Sequence, residues 1–121
     1  MANNPFDNDM AGPQEPAPWT YLSNHSHVLI CLARQPDARI RDVAAEVRIT
    51  ERAVQKILQD LEEANVLERH RVGRRNLYRI NPREHLRHPV EGHCTVAELL
   101  TFVLGGEVWK PATKEPQLEQ E

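Results

Sequence analysis

The feature that most constrains this 121-residue chain is a change of hydrophobic period within one short stretch. From Ile40 to Ala64 apolar residues recur every three or four positions, and from Val66 to Ile80 the period shifts toward two. The first pattern demands helices covered along one side, and the second demands strands covered on one face, so both must be built in close succession. Ile40, Val43, Ala44 and Val47 line one side of a first helix. Thr50 then offers a hydroxyl to an unpaired amide and Glu51 suits the positive end of a helix dipole, which starts a second helix at Thr50. In that helix Val54, Leu58 and Leu61 repeat at i, i+4 and i+7, leaving Glu51, Arg52, Gln55, Lys56 and Gln59 on the opposite side.

Leu67, Leu77, Tyr78 and Ile80 supply strand-forming side chains around the break Val72-Gly73-Arg74-Arg75-Asn76, which predicts a hairpin with Gly73 near its tip. The same hairpin carries Arg69, Arg71, Arg74, Arg75 and Arg79, with His70, against a single acid, Glu68. Neighbouring guanidinium groups repel one another unless a polyanion is near, and their planar donors suit phosphate. A charged hairpin can also simply protect an exposed sheet edge from aggregation. Likewise, long polar residues on a helix are ordinary on any solvated face. Their order decides between the readings: a helix whose first turns carry Arg52, Gln55 and Lys56, followed at once by an arginine hairpin, matches a helix laid in the major groove beside a phosphate-binding wing.

The expected fold is therefore mainly α with a small β-hairpin wing, a winged helix-turn-helix with an added C-terminal helix. Residues 40–58, followed by Leu61-Glu62-Glu63-Ala64-Asn65-Val66-Leu67, resemble the winged-helix transcriptional regulators of the MarR and ArsR type. The resemblance rests on Val43-Ala44-Ala45 ahead of a threonine-capped helix, and on the Leu61 to Leu67 segment before the wing. Asn65 stands where that family commonly has glycine, and asparagine is the next-best residue for a left-handed helix end. With the preceding helix, the resemblance extends over residues 19–89. It implies sequence-specific binding of double-stranded DNA by a homodimer. It also places Glu51, Arg52, Gln55 and Lys56 at groove-facing positions and Arg74 and Arg75 at the wing tip. Thr50, Arg69 and Arg71 complete the candidate DNA-binding set. Neither the operator nor an unidentified small-molecule effector is specified by these motifs.

Formal net charge is -3, which at first sight opposes binding to a polyanion, but the charge is unevenly spread. Residues 19–90 contain 13 Lys or Arg against 9 Asp or Glu, and the acidic excess lies in 1–18 and 91–121. An apolar content of 40% supports one modest core. The expected organisation is a disordered tail over 1–18, the DNA-binding domain over 19–90, a C-terminal dimerisation helix over 91–109 and a second disordered tail over 110–121. The first tail lacks the basic and apolar regions of a signal peptide and any membrane segment.

Ser23 or Asn24 can cap a helix presenting Val28, Leu29, Cys31 and Leu32, closed by Pro36-Asp37. Thr95-Val96-Ala97-Glu98 is a capping box, and Gly105-Gly106 ends the helix it opens. Leu99, Leu100, Phe102, Val103 and Leu104 cover more than one side of that helix. Leu99, Leu100, Phe102 and Val103 are therefore expected to join two copies of the chain, with Trp19, Tyr21 and Trp109 nearby; completion of the monomer core is the alternative.

Other chemistry is sparse. His85, His88, His93 and Cys94 cluster in sequence, with His25 and His27 further back, yet there is no helical i, i+4 histidine pair and no Cys-x-x-Cys. Residues 86–91 read as a connector stiffened by Pro89, so no metal or other cofactor is expected. Cys31 and Cys94, without a secretion signal, suggest a reduced cytoplasmic protein. No phosphate loop, nucleophile elbow or defined carboxylate pair supports an enzyme. The competing class is a winged-helix module for protein-protein assembly, its arginine wing meeting an acidic partner.

Overall fold

A computed structural model of the chain describes residues 17–106, and the expectations for Trp109 and for most of both tails lie outside them. Four helices and one hairpin follow in the order α1 (Asn24–Arg34), α2 (Ile40–Val47), α3 (Glu51–Glu63), β1 (Leu67–Val72), β2 (Arg75–Ile80) and α4 (Val96–Leu104). Among the described residues no helix is long and apolar enough to cross a membrane.

Three helices start where a short polar side chain satisfies an unpaired amide. The Ser26 N–H donates to Ser23 Oγ at 3.2 Å, Ala53 N–H to Thr50 Oγ1 at 3.0 Å, and Glu98 N–H to Thr95 Oγ1 at 3.2 Å. At Thr95 the box is reciprocal, since the Glu98 carboxylate accepts the Thr95 N–H at 2.8 Å. Helix α3 ends in a Schellman closure: Val66 N–H reaches Leu61 O at 3.0 Å, Asn65 N–H reaches Glu62 O at 3.1 Å, and Asn65 takes φ 64°. The asparagine thus does the work expected of it. Helix α2 turns out of its last turn through Arg48 at φ 72°, with Ile49 N–H bonded to Ala44 O at 3.1 Å. No asparagine or glycine marks that second left-handed residue.

Helix α1 packs against α2, α3 and α4, and the largest fully buried side chains, Val28, Leu32, Val54, Leu58 and Leu100, come from three of these four helices. The strands pair antiparallel from Leu67 opposite Ile80 to Val72 opposite Arg75. Gly73 and Arg74 form the two-residue turn; Gly73 at φ 63° followed by a negative φ at Arg74 is the type II′ pattern that suits twisted strands. Only the hairpin's root joins the core, through Leu67 and Tyr78. The Tyr78 N–H donates to Pro36 O at 2.9 Å, so the link between α1 and α2 lies along the free edge of β2.

The connector after β2 folds back on itself. Leu86 N–H donates to Cys94 O at 2.9 Å and Val96 N–H to Glu84 O at 2.8 Å, which delivers α4 onto α1. This docking corrects one expectation. Leu100 has 0% exposure and belongs with Val96, one helical turn earlier, to the core of its own chain, so it is not a contact between copies. Leu99 is half-buried, whereas Phe102 (84% exposed) and Val103 (38% exposed) remain on the outer side of α4. Leu100→Ala is accordingly expected to cost about 2–5 kcal/mol of unfolding free energy in urea titrations. A loss below about 1 kcal/mol would contradict this placement.

Candidate nucleic-acid interface

The seating of α3 determines which of its side chains reach solvent. Val54, Ile57, Leu58 and Leu61 are buried, and Glu51, Arg52, Gln55, Lys56 and Gln59 are exposed on the other side. Thr50 is exposed and its oxygen is taken up by the Ala53 amide. Lys56 Nζ lies 3.1 Å from Asp60 Oδ1, and Gln59 Nε2 donates to Glu63 Oε2 at 3.2 Å, both i, i+4 pairs along the helix. Among the described residues the Arg52 and Gln55 side chains make no hydrogen bond or ion pair, so their donors and acceptors are open in the first two turns of the helix.

Strand alternation divides the arginines that are contiguous in sequence. Leu67, Arg69, Arg71, Asn76, Tyr78 and Ile80 share the side that meets the helices, because Leu67 and Tyr78 are buried there. Glu68, His70, Val72, Arg75, Leu77 and Arg79 share the other. On the inner side Arg69 clamps Glu62 of α3 with two bonds, Nε to Oε2 at 2.9 Å and Nη2 to Oε1 at 3.0 Å, and its guanidinium sits 5.8 Å from the Tyr78 ring centre. The Glu62 carboxylate raises the Arg69 pKa further, keeping the group charged. Arg71 Nε donates to Gly73 O at 3.1 Å. Arg75 Nη2 donates to Asp37 O at 2.7 Å and lies 3.5 Å from Asp37 Oδ2, fastening the hairpin to the α1–α2 link. The Arg74 side chain, in the turn, is exposed and has no partner among the described residues; the side chain of Arg79, a residue paired with Glu68 across the strands, likewise has none.

The candidate residues thus sort by what already holds them. The Arg52, Gln55 and Arg74 side chains have no partner among the described residues, Lys56 and Arg75 are paired to the half-buried carboxylate of Asp60 and the exposed one of Asp37, and Arg69 is a brace between α3 and the hairpin. Asp60 joins two elements that sequence reading left unconnected: His25 Nε2 of α1 lies 2.9 Å from Asp60 Oδ2 while Lys56 holds Oδ1. The His25 hydrogen bond first, and the Lys56 hydrogen bond second, hold the Asp60 carboxyl below the usual aspartate range. A hydrogen bond from Arg34 to Glu46 similarly ties α1 to α2.

The remaining histidines and cysteines have local roles. His85 Nδ1 donates to Gly92 O at 2.8 Å and His88 Nδ1 accepts from Val90 N–H at 3.0 Å, so both close the connector. Among the described residues no group of three His, Cys, Asp or Glu is placed to hold a metal ion. Burial pushes the Cys31 thiol pKa up, which disfavours the reactive thiolate. Comparison of the chain with known protein families and with curated proteins gives no match to either.

The Asp60 pairing makes an acid-sensitive contribution to stability. A carboxylate whose pKa is lowered on folding stabilises the fold above its unfolded pKa, and that contribution disappears as pH falls through the lowered value. Asp60→Asn should therefore be less stable than the parent near neutral pH. The gap should close as pH drops below about 4. Denaturant titrations at a series of pH values measure it, and a gap that is constant with pH would refute the pairing.

Proposed function

We propose that the chain is a winged helix-turn-helix regulator of transcription that binds double-stranded DNA, akin to the MarR and ArsR types, and works in the cytoplasm as a homodimer. The observation that carries this reading is the set of exposed, unpartnered groups on one helix and one hairpin turn: Arg52 and Gln55 on α3, and Arg74 at the tip. In it, α3 enters the major groove. Arg52 offers two parallel donors to a guanine edge and Gln55 a donor and acceptor to adenine, while Lys56 and Arg74 meet phosphate. Lys56 and Arg75 must exchange their carboxylate partners for phosphate, which lowers affinity for DNA in general. Arg69 acts indirectly, bracing the hairpin against α3 through Glu62.

Equilibrium binding to selected and random duplexes at several salt concentrations tests the reading. Arg74→Ala should weaken both classes alike and reduce the salt slope by roughly one. Gln55→Ala should cost about 1–3 kcal/mol on the selected site and little on random duplex. Unrelated duplex that fails to compete with any bound partner, together with binding to an acidic protein, would replace this reading with the assembly-module alternative.

For the homodimer, support comes from the outer side of α4, where Phe102 and Val103 are exposed, and from exposed Trp19 and Tyr21, whose rings meet edge-on at 4.9 Å. Two copies joined there would present two α3 helices to two half-sites. Phe102→Glu should shift sedimentation from dimer to monomer without loss of helix content, because an ionised carboxylate is costly in a dry interface. A parent chain that is already monomeric at high micromolar concentration would overturn the dimer.

A further inference from the structure

The two edges of the hairpin differ in what covers them. Along an antiparallel ladder, pairs that exchange backbone hydrogen bonds alternate with pairs whose backbone groups turn outward. Val72 and Arg75 close the two-residue turn as a bonded pair, so His70 with Leu77 and Glu68 with Arg79 are bonded as well, and Asn81 N–H reaching Val66 O at 2.8 Å continues the series. Arg69 with Tyr78 and Arg71 with Asn76 are the outward pairs. On β2 the outward Tyr78 N–H is taken up by Pro36 O. On β1 the outward N–H and C=O groups of Arg69 and Arg71 meet no hydrogen-bonding partner among the described residues, and both residues are exposed. Strand β1 is therefore an open edge, the kind of surface to which a further extended strand adds.

Charge decides which strand fits. Two copies of β1 paired antiparallel along this edge would set Arg69 against Arg69 or against Arg71 of the other copy, and like charges directly opposite one another are destabilising. The complementary strand has acids at alternate positions on the side of Arg69 and Arg71, and an apolar residue on the other side, where Val72 is 57% exposed. Residues 117–121 of this chain, outside the described part, carry that pattern: Glu119 and Glu121 alternate, and Leu118 precedes them. With Glu119 opposite Arg71, an antiparallel register sets Glu121 opposite Arg69 and Leu118 opposite Val72. Arg71 spends only its Nε, on Gly73 O, so its terminal nitrogens can meet a carboxylate. Twelve residues separate Gly106 from Leu118 and span up to about 40 Å when extended, more than the roughly 30 Å width of a folded unit of this size.

We propose that residues 117–121 add to the open edge of β1 in the same chain as a third, antiparallel strand, with Glu119 opposite Arg71, Glu121 opposite Arg69 and Leu118 opposite Val72. Arg69 keeps its brace to Glu62 and contributes its outward backbone groups. The contact needs no nucleic acid and is tested without it, so it stands or falls separately from the DNA-binding reading.

The experiment is heteronuclear NMR on the full chain. In this register Val72 with Leu118 and His70 with Gln120 are the closely spaced, non-bonded pairs, so nuclear Overhauser contacts are expected between their α-protons. Amide hydrogen exchange at Arg69 and Arg71 should be at least about threefold slower than in a Glu119→Pro chain, whose proline removes a donor of the added strand. Exchange at His70, already bonded to β2, should be the same in both. The substitution lies outside the described residues, and an unchanged Leu100 amide signal checks that the core is intact. Arg71→Glu should abolish the contacts and Glu119→Arg in the same chain should restore them, a reversal that loss of a structural residue would not give. Equal exchange at Arg69 and Arg71 in the parent and the Glu119→Pro chain, or absence of both α-proton contacts, would overturn the proposal. Contacts that arise only between differently labelled chains would assign the strand to a second copy and overturn it as well.

Discussion

The structure depends above all on the insertion of the Val54, Ile57, Leu58 and Leu61 stripe of α3 into the core around α1. Side chains on a helix are separated by about 100° per residue, so once that stripe is buried the bearing of every other α3 residue follows. Arg52, Gln55 and Lys56 point outward because Val54 and Leu58 point inward, and no polar interaction is needed to explain it. A rotation of α3 by one position would place Gln55 and Gln59 among aliphatic side chains with amides unsatisfied, which the core has no groups to repair. Both ends are also fixed, by the Thr50 cap and the closure through Asn65.

What could be read from sequence was what local chemistry decides. Thr50, Ser23 and Thr95 cap because their hydroxyls reach amides three residues away, and Asn65 ends a helix because its own φ is allowed to be positive. What could not be read depends on residues distant in the chain. Arg75 is engaged by Asp37, 38 positions earlier, and His25 by Asp60, 35 positions later. Of five arginines that look like one cluster in sequence, four are divided by strand alternation between two sides of the hairpin and Arg74 sits in the turn, and Arg69 is assigned to bracing by Glu62. Leu100 failed for a related reason. The run Leu99 to Leu104 is apolar except for Thr101, so little within it says which residue faces the chain's own core; the docking of Val96 and the connector decides that.

The charge distribution acquires a physical meaning once the partners are known. Carboxylates within the basic region are spent on specific cations: Glu62 on Arg69, Asp37 on Arg75, Asp60 on Lys56. Arg52, Arg74 and Arg79 are left uncompensated by direct contact, on α3, at the hairpin tip and on the hairpin's outer side. A formal charge of -3 therefore describes the chain and not this surface. Field and contact depend on the arrangement of charges within a Debye length, about 8–10 Å at ordinary salt, far more than on their sum.

These ion pairs are also weak holders of the fold. Both members of most are exposed to water, and such pairs contribute on the order of 0–1 kcal/mol each, against several kcal/mol for one fully buried leucine. The arrangement of α3 relative to α1 and α4 is thus set by apolar packing. The polar pairs set instead where individual cationic side chains rest before a ligand arrives. Because Lys56 and Arg75 are held by groups that cost little to release, a denser anion such as a phosphodiester can take their place while the helices keep their positions. Arg69 differs: two charge-assisted bonds and a neighbouring ring fix it in the angle between α3 and the hairpin, where exchanging Glu62 for an outside anion would give up both bonds at once. The same residue type, repeated along one hairpin, is therefore part of the scaffold at Arg69 and without a side-chain partner among the described residues at Arg74 and Arg79.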